Sequence, residues 1–197
     1  MDQDQLKQHL HRYLQAGRDA LMWKLDGLSE YDVRRPMTRT GTNLLGLVKH
    51  VASIELGYLG DVFDRPSNIP LPWLSPDAEP NADLWVQPYE TRAQVVQLYR
   101  DAWAHDDATI RELDLDAVGH VEWWGEDGRV TLHQIVLHVI AETHRHAGHA
   151  DIVREAIDGA AGMRSRDDNL WGPPGGWDAH RERLEQAARE AQDAPGS

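Results

Sequence analysis

A chain of 197 residues and 22.3 kDa, 41% hydrophobic and 27% charged, is long enough to bury one sizeable core and too ordinary in composition for a disordered protein. Thirty-three acidic residues against 20 basic ones give a net charge of −13, a field that repels phosphate backbones and argues against a nucleic-acid partner. Cysteine is absent, which excludes disulfides, thiolate zinc ligands and a nucleophilic sulfur of the protein's own.

The first element is read from Leu6, Leu10, Tyr13, Leu14, Leu21 and Leu25, which fall on one stripe at helical spacing and predict an amphipathic helix ending near Gly27. Gly17 interrupts that stripe at a cost of about 1 kcal/mol and marks a place where another helix can approach closely. MDQDQLKQHLHRYLQ has neither the basic start nor the apolar run of a secretion signal, and no stretch of roughly 18 apolar residues occurs. A cytoplasmic protein without a membrane partner is expected.

After the turn-rich SEYDVRRPMTRTGT, a second helix is predicted to about Phe63, with Thr42 or Asn43 as its N-cap. Pro66, Pro70, Pro72, Pro76, Pro80 and Pro88 then make a long loop of residues 65–88, and loops of that length inside a compact domain are often functional. Val95, Leu98, Ala102 and Ile110 restore helical spacing from Glu90 until just before Asp114. VGHVEWWGEDGRV reads as a loop or small hairpin. A fourth long helix follows over 132–158, capped by Thr131 and stopped by Gly159 and Gly162. The tail adds a Gly/Pro-rich loop and a final helix with a mostly charged face, expected to pack loosely or against a partner.

Four long helices, unequal loops and little alternation of period two predict an all-α, up-and-down type four-helix bundle. The bundle is expected over residues 1–160, with residues 161–197 as a loop and helical extension.

The chemistry concentrates in the fourth helix, in VIAETHRHAGHADIVRE. With His138 at zero and each residue advancing ~100°, His149 lies at ~20°, Glu142 at ~40° and His146 at ~80°, alongside Ile135 and Val153 at ~60°. His144, at ~240°, belongs to the opposite, outer face. The cluster therefore points where apolar side chains point. Coordination to a divalent cation offsets the desolvation of imidazoles and a carboxylate together, whereas leaving them buried without partners is costly. Glu142 and His146, one turn apart, can reach one ion. A third ligand must come from another helix, and His50, in the middle of the apolar face of the second helix, is the candidate.

Imidazole and carboxylate suit zinc, the default, and also nickel, manganese or ferrous iron. Three protein ligands leave a position for water or substrate, as in a catalytic site. His149 and His138 are alternates or groups that orient the ligands.

Each feature also has an ordinary structural explanation. A lone histidine on an apolar face is usually a hydrogen-bonded core residue, and an i, i+4 Glu/His pair is worth only ~0.2–0.5 kcal/mol of helix stability. The metal follows from their combination. Trp123 and Trp124 line a pocket mouth or, more commonly for adjacent loop aromatics, cover the bundle end. Trp73, Trp85, Trp171 and Trp177 read as loop anchors, and His9, His11, His105 and His180 as surface residues.

TNLLGLVKHVASIELGYLGDVF together with WWGEDGRVTLHQIVLHVIAETHRHAGHADIVREAIDG resembles the DinB-like superfamily over about residues 1–160, in particular its actinobacterial branch of unknown function. The resemblance implies a four-helix bundle holding a divalent metal with one histidine from the second helix and two ligands one turn apart on the fourth. Here these are His50, Glu142 and His146. Many members carry a histidine at the Glu142 position, whereas the related mycothiol-dependent maleylpyruvate isomerases use glutamate. His149 or His138 is the fallback ligand. Better-understood relatives use mycothiol, bacillithiol or glutathione for isomerisation or S-transfer, with the metal lowering the pKa of the thiol.

The resemblance thus implies a metal-dependent thiol S-transferase or thiol-dependent isomerase acting on a small electrophile, with His149 or Asn43 handling a proton. The alternatives are a metal hydrolase and a stress-linked binding module with a structural metal. Relatives are often dimers, which makes the final helix a candidate for a homodimer interface.

Overall fold

The structure, a computed structural model, describes residues 2–165 and 170–192. Four long helices form the bundle: α1 (Gln3–Met22), α3 (Leu44–Leu59), α4 (Arg92–Glu112) and α5 (Leu132–Asp158). A five-residue helix, α2 (Glu30–Arg34), sits in the stretch expected to be only turns, where Ser29 accepts a hydrogen bond from the Asp32 amide. Each long helix starts where its sequence supplies an acceptor for otherwise orphaned amides. Asp2 caps α1, Asn43 caps α3, Thr91 and Gln94 form a reciprocal capping box on α4, and Thr131 caps α5. Gly159 ends α5 in the left-handed conformation, with φ of 79°.

The helix α3 is the centre of the bundle, packed against both α4 and α5, while α1 packs on α5 and more lightly on α4. This explains why α3 is apolar nearly all round. Leu44, Leu45, Val48, Val51, Ala52, Leu56 and Leu59 are all buried. One end of the core gathers Leu21, Leu45, Val48 and Tyr99. The other gathers Leu14, Leu59, Phe63, Leu132 and Ile135 beneath the hairpin. Truncating any of these fully buried leucines to alanine costs ~2–5 kcal/mol.

A β-carbon added at Gly17 would meet Thr143 Cγ2 at 3.0 Å and the His144 ring at 3.1 Å, so this glycine sets how closely α1 and α5 cross. At the same crossing His144 Nε2 donates to the Tyr13 carbonyl at 3.0 Å. That corrects the placing of His144 on an outer face, because α5 buries one flank on α3 and the other on α1.

The Trp-rich segment is a hairpin: β1 (Val118–His120) pairs antiparallel with β2 (Arg129–Thr131), Gly119 opposite Val130. The proline-rich segment is a strap of short turns at Pro72–Leu74 and Ala82–Leu84. Trp73 Nε1 donates to Ser53 Oγ at 2.8 Å, and the buried Lys49 ammonium donates to the carbonyls of Ala82 and Trp85 and to Glu90. The strap also lies directly on α3: a β-carbon at Gly46 would sit 2.0 Å from the Leu84 carbonyl oxygen.

The extension expected over residues 161–197 lies partly outside the described residues. Its helix α6 (Gly176–Gln192) buries none of its residues. Trp171 and Trp177, expected as anchors, are exposed, and among the described residues the Trp177 ring meets only that of its near neighbour His180, edge to face. Among the described residues no helix is long and apolar enough to cross a membrane.

Candidate functional site

Only one stripe of α3 escapes burial: His50, Ile54, Gly57 and Tyr58, at helical spacing. It forms the floor of a cleft of about 460 Å³. The opposite wall comes from His138 and Glu142 of α5, the strap adds Leu74 and Asp83, and the hairpin adds Trp123. Three structurally unrelated segments thus converge on the open face of the central helix.

On α5 the buried positions Leu132, Ile135, Val136, Val139, Thr143, Ala147, Ala150 and Val153 centre at ~120° on the wheel that has His138 at zero. His138, Glu142 and His149 therefore lie on the flank of the buried stripe, with His146 at its edge. This refines the sequence expectation that the cluster points inward with the apolar residues. Only His146 is buried. Glu142 is half-buried in the cleft wall, and His149 is exposed, its ring 5.4 Å from that of His146.

The two helices meet at the histidines. The rings of His50 and His146 stand edge to face with centroids 4.7 Å apart, and His146 Nε2 lies 3.5 Å from Glu142 Oε2. His50 Nδ1 donates to Asp83 Oδ2 at 2.5 Å, a contact that fixes its tautomer and leaves Nε2 as the free nitrogen. That hydrogen bond holds the Asp83 carboxyl below its usual pKa. Sequence reasoning missed Asp83, because nothing in a run of prolines says which of its acids will return to the helices. The available signal was Gly46, one turn before His50, which admits the strap.

His146 Nδ1 is buried without any hydrogen-bond partner. Burial, helped by the nearby His50 and opposed by Glu142, lowers the His146 pKa to about 4, so its ring is neutral at physiological pH. Neutral imidazole is the ligating form. Among the described residues no three His, Asp or Glu side chains are close enough to constitute a metal cluster as they stand.

The remaining candidates separate. Asn43 Oδ1 accepts from the Gly46 amide and its Nδ2 donates to the carbonyls of Gly41 and Leu84, so its polar atoms are committed to capping α3 and holding the strap. It does not line the cleft. Trp123 is 60% exposed at the cleft mouth and donates from Nε1 to the Tyr58 hydroxyl at 3.2 Å. Trp124 turns inward, half-buried against Tyr58 and His138, and covers the bundle end. His138 is held in that aromatic group, 4.6 Å from the Tyr58 ring.

A second polar cluster was not foreseen. Arg18 of α1 is fully buried and pairs with Glu55 at 2.6 Å and with Asp107 at 2.7 Å. Tyr99 donates to the other Glu55 oxygen at 2.9 Å. Although burial opposes it, these carboxylates hold the Arg18 pKa above its usual value. Beside them Asp106 is fully buried, with Oδ2 unpartnered and Oδ1 accepting from His105 Nδ1 at 3.0 Å. Burial pushes the Asp106 carboxyl up to about 7 against that hydrogen bond. His105, expected at the surface, is thus half-buried and bonded at both nitrogens, its Nε2 donating to the Arg65 carbonyl.

Fold and site together define an all-α bundle protein whose candidate chemistry lies in a cleft between its central and last long helices. The mycothiol-S-transferase profile matches residues 9–159, which includes every residue of that cleft. The chain belongs to this family, whose name implies a small-molecule thiol as substrate. No curated protein matches the chain.

Proposed function

We propose that the protein transfers the sulfur of mycothiol to a small electrophile in the cleft between α3 and α5, with a divalent metal held by His50, Glu142 and His146. The observation that carries this reading is the meeting of the two helices at a ring kept neutral by burial: His146 turns Nε2 toward Glu142 at 3.5 Å and packs edge to face on His50. Two imidazoles and a carboxylate suit a borderline divalent ion, zinc first and nickel, manganese or iron after it.

When bound, such an ion supplies the Lewis acidity that makes thiolate from a thiol near neutral pH. The chain has no cysteine, so the sulfur must come from outside. The residues do the rest. Asp83 holds the His50 ring in orientation from Nδ1, an arrangement that raises ligand basicity. Tyr58, Trp123, Leu74 and Ile54 exclude water and give the electrophile an apolar seat. The thiolate sulfur forms the new bond to carbon, the leaving group departs with the electron pair of its own bond, and the thiol proton passes to solvent.

The test combines metal analysis with turnover. Purified protein is expected to carry about one equivalent of metal that is lost in His50→Ala, and to conjugate a generic electrophile with mycothiol in a metal-dependent way. Metal content unaffected by the substitution removes His50 from the site. Thiol-independent hydrolysis would replace the transferase reading with the hydrolase one.

A further inference from the structure

The cleft is lined by three carboxylates, Asp61, Asp83 and Glu142, and by no lysine or arginine. Two of these have partners, Asp83 with His50 and Glu142 with His146. The Asp61 carboxylate, exposed at the first turn after α3, has no hydrogen-bond or ionic partner among the described residues. Beside it the Trp123 ring stands open at the mouth, fixed edge to face on Tyr58 at 5.3 Å and tethered by its indole N–H. Trp123 and Asp61 also line a neighbouring cleft of about 400 Å³, whose charged lining is Asp61, Asp64 and Glu122 with the single Arg129. The nearest buried cation on the α3 side, Lys49, is already paired with Glu90 beneath the strap.

Resting on the reading above, we infer that the cleft selects a positively charged electrophile, its flat apolar body against Trp123 and Tyr58 and its cation at Asp61. The charge balance points one way. A divalent ion offsets Asp83 and Glu142, after which Asp61 and the incoming thiolate leave the cleft at −2. An anionic electrophile is repelled by both, whereas a cation meets an unpaired carboxylate and the electron-rich face of an indole. A free carboxylate beside an ordered, open tryptophan matches no other ligand chemistry as well.

The experiment uses three benzyl bromides bearing a quaternary ammonium, a tert-butyl or a sulfonate group at the para position. Each rate with mycothiol is divided by its uncatalysed rate. In each reaction the S–C bond forms as bromide leaves with the C–Br pair, and the thiol proton goes to buffer. The order of kcat/KM is expected to run ammonium, neutral, sulfonate, with steps of about tenfold for one unscreened charge a few ångströms away at low salt. Asp61→Asn, which leaves only the thiolate's charge, should compress the ammonium-to-sulfonate ratio from about a hundredfold to about tenfold.

An anionic substrate used as well as the cationic one, or an Asp61→Asn enzyme that keeps the full spread, overturns the inference. Absence of thiol-dependent turnover with all three defeats the transferase reading instead. Binding then still decides the charge preference: benzyltrimethylammonium should quench tryptophan fluorescence more strongly than benzenesulfonate, through a component lost in Trp123→Phe. Equal binding of the two ions counts against it.

Discussion

Two polar clusters hang from the same central helix, and they have opposite fates. Around Glu55, on the side of α3 that faces α1 and α4, the Arg18 guanidinium and the Tyr99 hydroxyl find partners at 2.6–2.9 Å, and these residues are fully buried. Around His50, five residues earlier, the groups come from α3, α5 and the strap, and His50, Asp83 and Glu142 open onto a cleft with His146 packed behind them. The difference teaches that burial of charge is not by itself a functional sign. Arg18 and Tyr99 spend their donors on Glu55 inside the core, which marks that group as structural even with Asp106 Oδ2 unpartnered beside it. Polar groups from three segments gathered at a cleft mark the second as a site.

The largest test of that contrast is Arg18→Met. It leaves Glu55 and Asp107 without their cation and should cost ~3–5 kcal/mol in denaturant unfolding, while Arg18→Met combined with Glu55→Leu recovers most of the loss. If the single variant is as stable as the parent, the closed network is not structural. In the open cluster, Asp83→Ala should weaken metal affinity by about 10–100-fold, read by competition with a chromophoric chelator, with the fold retained. An unchanged affinity would detach the strap from the site.

The pH dependence sharpens the comparison because the two clusters shift in opposite senses. Asp106 has a folded pKa of about 7 against an unfolded 3.8, so the folded state holds a proton that the unfolded chain has released across that window. Stability from this group is present below pH 3.8 and lost as pH rises toward 7. Asp106→Asn should therefore stabilise the protein by about 1 kcal/mol at pH 8, with a gain that vanishes near pH 4. A gain independent of pH would show that ionisation is not the cause.

For His146 the folded pKa of about 4 lies below the unfolded 6.5, so the unfolded chain takes up a proton that the folded site refuses. Stability of the metal-free protein falls as pH drops from 6.5 to 4. His146→Leu should change stability at pH 8 by less than about 0.5 kcal/mol and flatten that acid limb, while abolishing metal retention. Thermal melts at pH 5 and 8 read both effects.

Much of the fold was legible because periodicity and caps act locally. Asn43 and Thr131 announce helix starts, and Gly17 foretells the α1–α5 crossing. Within the candidate site, the sequence placed His50, Glu142 and His146 on faces that do meet, since the helical repeat alone fixes which residues share a side. It did not reveal Asp83, nor that Asn43 is spent on a cap, nor that His149 stays outside. Those facts depend on where a non-periodic strap lands and on the exact rotation of α5 between two neighbours. The Arg18–Glu55–Asp107 network was invisible for a related reason. Charged residues spaced along amphipathic helices look solvated until a third helix closes over them.

The strap has a consequence in time. Helices form within microseconds from local contacts, but Asp83 reaches His50 only after a segment of turns has folded back onto Gly46, beside an already packed α3. Refolding chains should therefore recover far-ultraviolet ellipticity first and the capacity to take up an ion later. The interval between the two signals would lengthen when Trp73→Phe removes the strap's tether to Ser53.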